Sequence, residues 1–273
     1  MIKINGKPVE IGKFPDGTAL LKCEPRPYVN SGYAKLSWYY ENDREFLALM
    51  YIVKHLRANS VSGVYLYMPY IPNARMDRVK NSEDVFTLKY FAELLNSLEI
   101  DRIEVLDPHS SVSEALINNL MVISPRCYIE TVLGNIMPQL RKIHEPDADI
   151  LMFYPDEGAM KRYSGMVDIP YAFGIKKRDW KTGTIEGLDV AGAVDQITGK
   201  DILIVDDICS RGGTFYHSAK KLKELGAKDI YLYVSHCENT ILEGELLEGD
   251  LIKKVYTTNS IFTKSHEKIE VLK

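Results

Sequence analysis

Cysteine is scarce in this sequence: 4 residues in 273, namely Cys23, Cys127, Cys209 and Cys237. None stands in CxxC spacing, so neither a disulfide framework nor a thiolate zinc site is expected. The expected setting is a reducing cytoplasm with the thiols buried. Positive charge is not in excess either. Lys and Arg number 34 against 38 Asp and Glu, a formal net charge of −4. Without a broad basic field the chain is not expected to bind nucleic acid, and any anion must be held by a local device. No apolar run approaches the ~20 residues that span a bilayer. The opening residues, MIKINGKPVEIG, lack the apolar core of a signal peptide, so no membrane partner is expected. Solenoid-period repeats and low-complexity stretches are absent as well. What remains is 45% hydrophobic and 26% charged, the composition of a chain that buries a core as one large or two ordinary domains.

From about residue 60 onward β-rich runs alternate with helical stretches. VSGVYLYMPY (61–70), RIEVLDP (102–108), DILMFYPD (149–156), DILIVDDIC (201–209) and DIYLYVSH (229–236) read as strands. Helical spacing appears around Phe86–Leu98, from Gly158, and over Thr214–Leu225, which Gly226 ends. Earlier, Ala34–Tyr40 reads as a strand, and Asn42 with Glu45 predicts a capping box for a helix through His55. Continuous Ile/Leu/Val runs between helices predict parallel sheets covered on both faces, a doubly wound α/β architecture. Two similar halves are expected, 1–140 and 141–273, with the boundary in the region of Pro138 and Pro146. Asp107–His109, Asp156, Asp206–Asp207 and His236 all fall at the carboxyl ends of predicted strands, where open α/β sheets bind ligands.

The most specific stretch is ILIVDDICSRGGT, residues 202–214. A hydrophobic strand delivers two adjacent acids, and a short glycine loop then opens a helix. Gly212 and Gly213 let backbone N–H groups converge on an anion, and the helix N-terminus adds a favourable dipole. Thr214 is suited either to cap that helix or to bond a phosphate oxygen. Asp206 and Asp207 suit two vicinal hydroxyls, as a ribose presents. The stretch resembles the binding signature of the phosphoribosyltransferase superfamily. It is not a Walker loop: the nearest candidate, Gly192–Lys200, has the wrong spacing and is followed by Asp201.

Further segments narrow the resemblance. Phe14-Pro15-Asp16-Gly17-Thr18 resembles an F-x-D-G-E adenine-binding turn, and Asn73-Ala74-Arg75-Met76-Asp77-Arg78 a Y-A-R-Q-D-R stretch. Leu106-Asp107-Pro108-His109 resembles a D-x-H segment, Tyr154-Pro155-Asp156-Glu157-Gly158 a P-D-x-G turn, and Lys176-Lys177-Arg178 the K-x-R of a flexible catalytic loop. Their order and spacing over residues 14–262 are similar to the ribose-phosphate pyrophosphokinase family. That resemblance implies transfer of a diphosphate from ATP to the C1 hydroxyl of a ribose phosphate, with Mg²⁺ as cofactor. It implies Phe14, Asp16, Arg75, Asp77 and His109 for ATP, and His109 and Asp156 for the metal. Lys176, Arg178 and His109 are the implied catalytic residues. Asp206, Asp207, Ser210, Arg211, Gly212, Gly213 and Thr214 are implied for the ribose phosphate. In the family Phe14 and Asp16 would serve a neighbouring subunit's site, which implies at least a dimer. The segment 181–183 beside Gly174 is expected to make the 176–178 region a mobile flap.

The pattern also departs from the family. Met76 replaces a Gln, Thr18 a Glu, and SSVSEAL an aromatic stretch after His109. Relative to the family, most of the first β-α unit and the final helix are lacking, so a hexamer is not expected. Arg211 stands where the family has Thr. A long planar cation with several donors suits a diphosphate, and some relatives accept ADP-ribose, so ribose 5-phosphate and ADP-ribose both stand as acceptors. A silent regulatory relative would not need His109, Asp156, Lys176 and Arg178. A transferase consuming phosphoribosyl diphosphate would not need segments 14–18 and 73–78.

Overall fold

The structure, a computed structural model, describes residues 1–23, 25, 32–137, 150–178 and 185–273. They form two compact units, Met1–Ser124 and Pro125–Lys273. The expected boundary at 140, with Pro138 and Pro146, lies outside the described residues.

The first unit begins with short strands, β1 (Ile2–Ile4), β2 (Lys7–Pro8), β3 (Ile11–Lys13) and β4 (Ala19–Leu21). Then follow β5 (Tyr33–Trp38), α1 (Arg44–Ala58), β6 (Gly63–Tyr67), α2 (Thr87–Asn96), β7 (Arg102–Leu106), α3 (Val112–Leu116) and β8 (Leu120–Ile123). Strands β5 to β8 are parallel neighbours in sequence order, and β1 and β2 extend that sheet antiparallel. Strands β3 and β4 form a separate antiparallel hairpin. Along α1 the buried residues Ala48, Leu49, Ile52, Val53 and Leu56 recur at helical spacing and face the sheet.

The capping box expected at the start of α1 does not form. Asp43 is the N-cap and makes no side-chain cap bond. Buried Glu45 instead accepts from the Trp38 indole N–H at 2.9 Å and the Glu41 backbone N–H at 3.0 Å, and it also pairs with the terminal amino group. A fully buried indole needs an acceptor, and that demand outranks the cap.

The second unit contains α4 (Arg126–Ile136), β9 (Ile150–Tyr154), α5 (Glu157–Tyr163), β10 (Tyr171–Arg178) and β11 (Ile185–Gly192). It continues with β12 (Asp201–Cys209), α6 (Gly213–Glu224), β13 (Ile230–Cys237), β14 (Lys254–Thr258) and β15 (Ile269–Leu272). The strand order is β11-β10-β9-β12-β13-β14-β15, parallel throughout except for the β10–β11 pair. The continuous apolar runs do what they predict. Leu151 and Phe153 of β9 enter one core with Phe215, Ala219 and Leu222 of α6. Ile150, Met152 and Tyr154 enter another with Ile129, Val132 and Leu133 of α4 and Tyr163 of α5. Helix α6 ends as expected at Gly226, which takes φ +86. The Gly226 and Ala227 N–H groups close on the Lys223 and Leu222 carbonyls, the paired bonds of a glycine C-cap. Cys209 and Cys237 are buried, but Cys127 is exposed and Cys23 half-buried. The expectation of buried thiols therefore fails at Cys127, which lies on the outward face of α4. Among the described residues no helix is long and apolar enough to cross a membrane.

Candidate active site

In the second unit, β9 leads through α5 to β10 on one side, while β12 lies on the other side of β9. Connections that part in this way leave a crevice at the carboxyl ends of the two strands, the usual ligand position in open α/β sheets. Asp156 follows β9 directly, and Asp206 and Asp207 lie near the end of β12. Asp156 is the N-cap of α5, and its carboxylate accepts the Ala159 N–H at 3.0 Å. Asp206 accepts the Asp207 backbone N–H at 2.9 Å. Burial pushes the Asp206 carboxyl well above its ordinary range, and the charges of Asp207 and then Asp156 push the same way. Asp207 pairs with Arg162 of α5 at 3.4 Å, and the Arg162 guanidinium lies 5.7 Å over the Tyr163 ring. The two adjacent acids therefore occupy different electrostatic settings. Arg162 was missed in the sequence, where it reads as one more cation in the last turn of a helix.

Ser210 and Arg211 lead from β12 into α6. Gly212 is the N-cap in the left-handed region, φ +82, with Leu246 so close that a Cβ would lie 2.8 Å from it. A Cβ at Gly213, the first residue of α6, would meet no atom within 4 Å. Packing thus demands the first glycine, while the second leaves the helix start open to close approach. With Gly212 as N-cap, Thr214 is not the cap; it sits inside the first turn, and its carbonyl accepts the Ser218 hydroxyl at 2.9 Å. Arg211 is 73% exposed and pairs with Glu243 at 3.1 Å.

Strand β10 runs parallel to β9 only over Tyr171–Phe173, whereas its pairing with β11 continues from Ala172 to Arg178. Lys176 and Arg178 therefore lie on a two-stranded arm that passes beyond the carboxyl end of β9, the edge that also carries Asp156. A Cβ at Gly174 would lie 2.6 Å from the Pro155 carbonyl oxygen, so the glycine serves close approach of the strand to the Asp156 turn. Segment 181–183 lies outside the described residues.

In the first unit, Asp77 is buried and holds the Arg78 guanidinium through two bonds of 2.7 and 2.8 Å. The Arg78 bond, with a smaller bond from Ser110 and the charge of His109, lowers the Asp77 pKa to about 2. The 73–78 and 107–110 segments are thus brought together, with Arg78 and Ser110 beside Asp77 and His109; neither Arg78 nor Ser110 was among the expected ATP residues. Asp107 takes φ +41 and is buried. Phe14 and Asp16 sit at the tip of the β3–β4 hairpin. Asp16 accepts the Thr18 N–H at 2.9 Å and the Thr18 hydroxyl at 2.7 Å. Thr18 thus closes the turn on Asp16. Phe14 is 48% exposed. A groove of about 1020 Å³ between β4 and α1 is lined by Phe14, Leu21, Tyr51, Ile52 and His55. It is mostly carbon-walled and holds none of the acids, so it is not the candidate site.

Among the described residues no group of three or more His, Cys, Asp or Glu side chains is arranged to hold a metal. The carboxylates of Asp156, Asp206 and Asp207 nevertheless interact electrostatically. Such hard oxygen donors suit Mg²⁺, which takes one or two protein carboxylates and completes its shell with phosphate and water.

The Phosphoribosyl synthetase-associated domain family matches residues 187–273, the span that carries β12, the glycine loop and α6. The ribose-phosphate pyrophosphokinase of Staphylococcus saprophyticus is 29% identical over 226 residues, 79% of this chain and 65% of that protein. The Bacillus caldolyticus ribose-phosphate pyrophosphokinase is 27% identical over 274 residues, 96% of this chain and 82% of that one. The phosphoribosylpyrophosphate synthetase of Mycobacterium smegmatis shares the fold, with a TM-score of 0.75 at 20% identity, covering 97% of this chain and 85% of its own. By sequence the chain is similar to ribose-phosphate pyrophosphokinases, and it has the fold of a phosphoribosylpyrophosphate synthetase.

Proposed function

We propose that the chain transfers the β,γ-diphosphate of ATP to the anomeric C1 hydroxyl of ribose 5-phosphate and releases AMP. The observation that carries this reading is the place where the connections of β9 and β12 part. Two adjacent carboxylates suited to a ribose diol stand there directly before a glycine loop and a helix N-terminus suited to its phosphate. Asp206 and Asp207 hold the sugar hydroxyls, and Ser210–Thr214 hold the 5′-phosphate. Arg75, Asp77 and His109 bind ATP, with Phe14 and Asp16 serving a neighbouring copy's adenine in an assembly of at least two chains. Attack of the C1 oxygen on the β-phosphorus forms the C1–O–P bond as the bond to the α-phosphate oxygen breaks. Chemistry of this kind needs placement and charge neutralisation more than covalent help. Lys176 and Arg178 stabilise the charge that develops on the departing AMP oxygen. Asp156 and His109 would hold Mg²⁺, directly or through water, and the ion would neutralise phosphate charge.

The acceptor is the finer question. Arg211 brings a cation to the loop and so keeps ADP-ribose as a second reading. Its pairing with Glu243 offsets part of that charge, which weakens the case for a diphosphate and supports the monophosphate. The decisive experiment incubates the protein with Mg–ATP and either acceptor and identifies the diphosphorylated product. A product from ribose 5-phosphate is expected. A higher kcat/KM with ADP-ribose, lost in Arg211→Thr, would instead support the extended acceptor.

A further inference from the structure

Past β13 the chain makes two short 3-10 turns, Asn239–Glu243 and Glu245–Leu247, with Gly244 between them. Gly244 has φ −105 and ψ 169, a conformation open to any residue. Its glycine answers to space alone. A Cβ there would lie 1.9 Å from the Arg211 carbonyl oxygen and 2.9 Å from the carbonyl carbon. Both are backbone atoms of the proposed phosphate loop, so no side-chain rotation relieves the clash. Contacts on either side reinforce this one. Glu243 holds the Arg211 guanidinium at 3.1 Å. Leu246, fully buried, stands against Gly212. At the base of the same segment the Glu238 N–H donates to the Cys209 carbonyl at 2.8 Å. Residues 238–246 thus bear on three consecutive parts of the approach to α6: the end of β12, Arg211 and Gly212.

We infer that Gly244 is a positioning residue for the phosphate loop, and that the 243–246 segment is the buttress that fixes where the loop's N–H groups converge. This rests on the acceptor reading above. A set of backbone donors binds one phosphate tightly only when each is held to a fraction of an ångström, and a backbone loop of glycines cannot hold itself. The Gly244–Arg211 contact sets the height of the loop, and the Leu246–Gly212 contact sets its twist.

The test is Gly244→Ala, assayed beside Gly134→Ala, a helix substitution that would meet nothing within 4 Å. Displacing the loop should raise KM for ribose 5-phosphate on the order of 10-fold or more, while KM for ATP and kcat stay within about 2-fold. General destabilisation would instead lower the active fraction, and hence apparent kcat, with KM unmoved. A folded Gly244→Ala variant with wild-type KM for ribose 5-phosphate overturns the inference. Amide exchange gives a ligand-free readout, because the Tyr216 N–H donates to the Gly212 carbonyl at 2.9 Å. Exchange at Tyr216 should quicken in Gly244→Ala while Leu232 of β13 stays unchanged. That result supports the buttress even where the wild type proves not to use ribose 5-phosphate, an outcome that sinks only the acceptor reading. If Gly244→Ala does not fold, the wild type decides. Protection by ribose 5-phosphate at both the Tyr216 and Gly244 amides supports the inference, and protection at Tyr216 alone overturns it.

Discussion

Asp206 and Asp207 are neighbours in sequence, yet the protein treats them differently. Asp206 is half-buried with two other carboxylates near it, and its carboxyl is pushed up; Asp207 is buried and matched by the Arg162 guanidinium. In the proposed site Asp207, with a guanidinium beside it, is the stronger acceptor for a sugar hydroxyl. Asp207→Asn should raise KM for ribose 5-phosphate by ~10–100-fold, the cost of losing hydrogen bonds to a charged acceptor. Steady-state kinetics checks this, and an unchanged KM would remove Asp207 from the sugar site. Asp77 provides a test at acid pH. Its folded pKa of about 2 lies below its ordinary 3.8, so its ionised form stabilises the fold above about pH 4. That contribution disappears as pH falls through 2. Acid unfolding of Asp77→Asn should therefore lack part of the wild type's loss of stability between pH 4 and 2. Parallel curves for the two proteins would mean that the Arg78 bonds contribute nothing.

At the scale of elements, the arm formed by β10 and β11 sets the reach of the proposed reaction. It leaves the sheet at Gly174, pressed against the Asp156 turn, and carries Lys176 and Arg178 past the edge where the acids stand. Lys176→Ala and Arg178→Ala should each lower kcat by at least ~10²-fold, the usual loss of one transition-state donor, with ATP affinity changed much less. Near-normal turnover in both variants would move catalysis off the arm. Much of this element structure was legible in the sequence. Asp201–Cys209 forms the strand its apolar run predicts, and α6 starts and stops at its glycines, because local propensity and burial agree there. The start of α1 was misread since the fate of Glu45 depends on an indole from another element. Arg162 and Gly244 escaped for the same reason. A salt bridge to Asp207 and a carbonyl lying against a bare Cα are tertiary facts, and neither residue type announces them.

At the scale of the whole molecule, the ATP-type motifs belong to the first unit and the sugar-phosphate motifs to the second. Phe14 and Asp16 lie at the exposed tip of the β3–β4 hairpin, and the proposed function has them serve a second copy of the chain. Activity should accordingly depend on assembly: dilution to a monomer, followed by light scattering, should abolish turnover. A fully active monomer would refute the shared adenine site. The central claim is transfer of a diphosphate, and one measurement addresses it most directly. The protein is incubated with ATP, Mg²⁺ and ribose 5-phosphate, and the nucleotide product is identified by chromatography. The account predicts AMP, formed only when both Mg²⁺ and the ribose phosphate are present; ADP as the product would mean transfer of a single phosphoryl group and would contradict it.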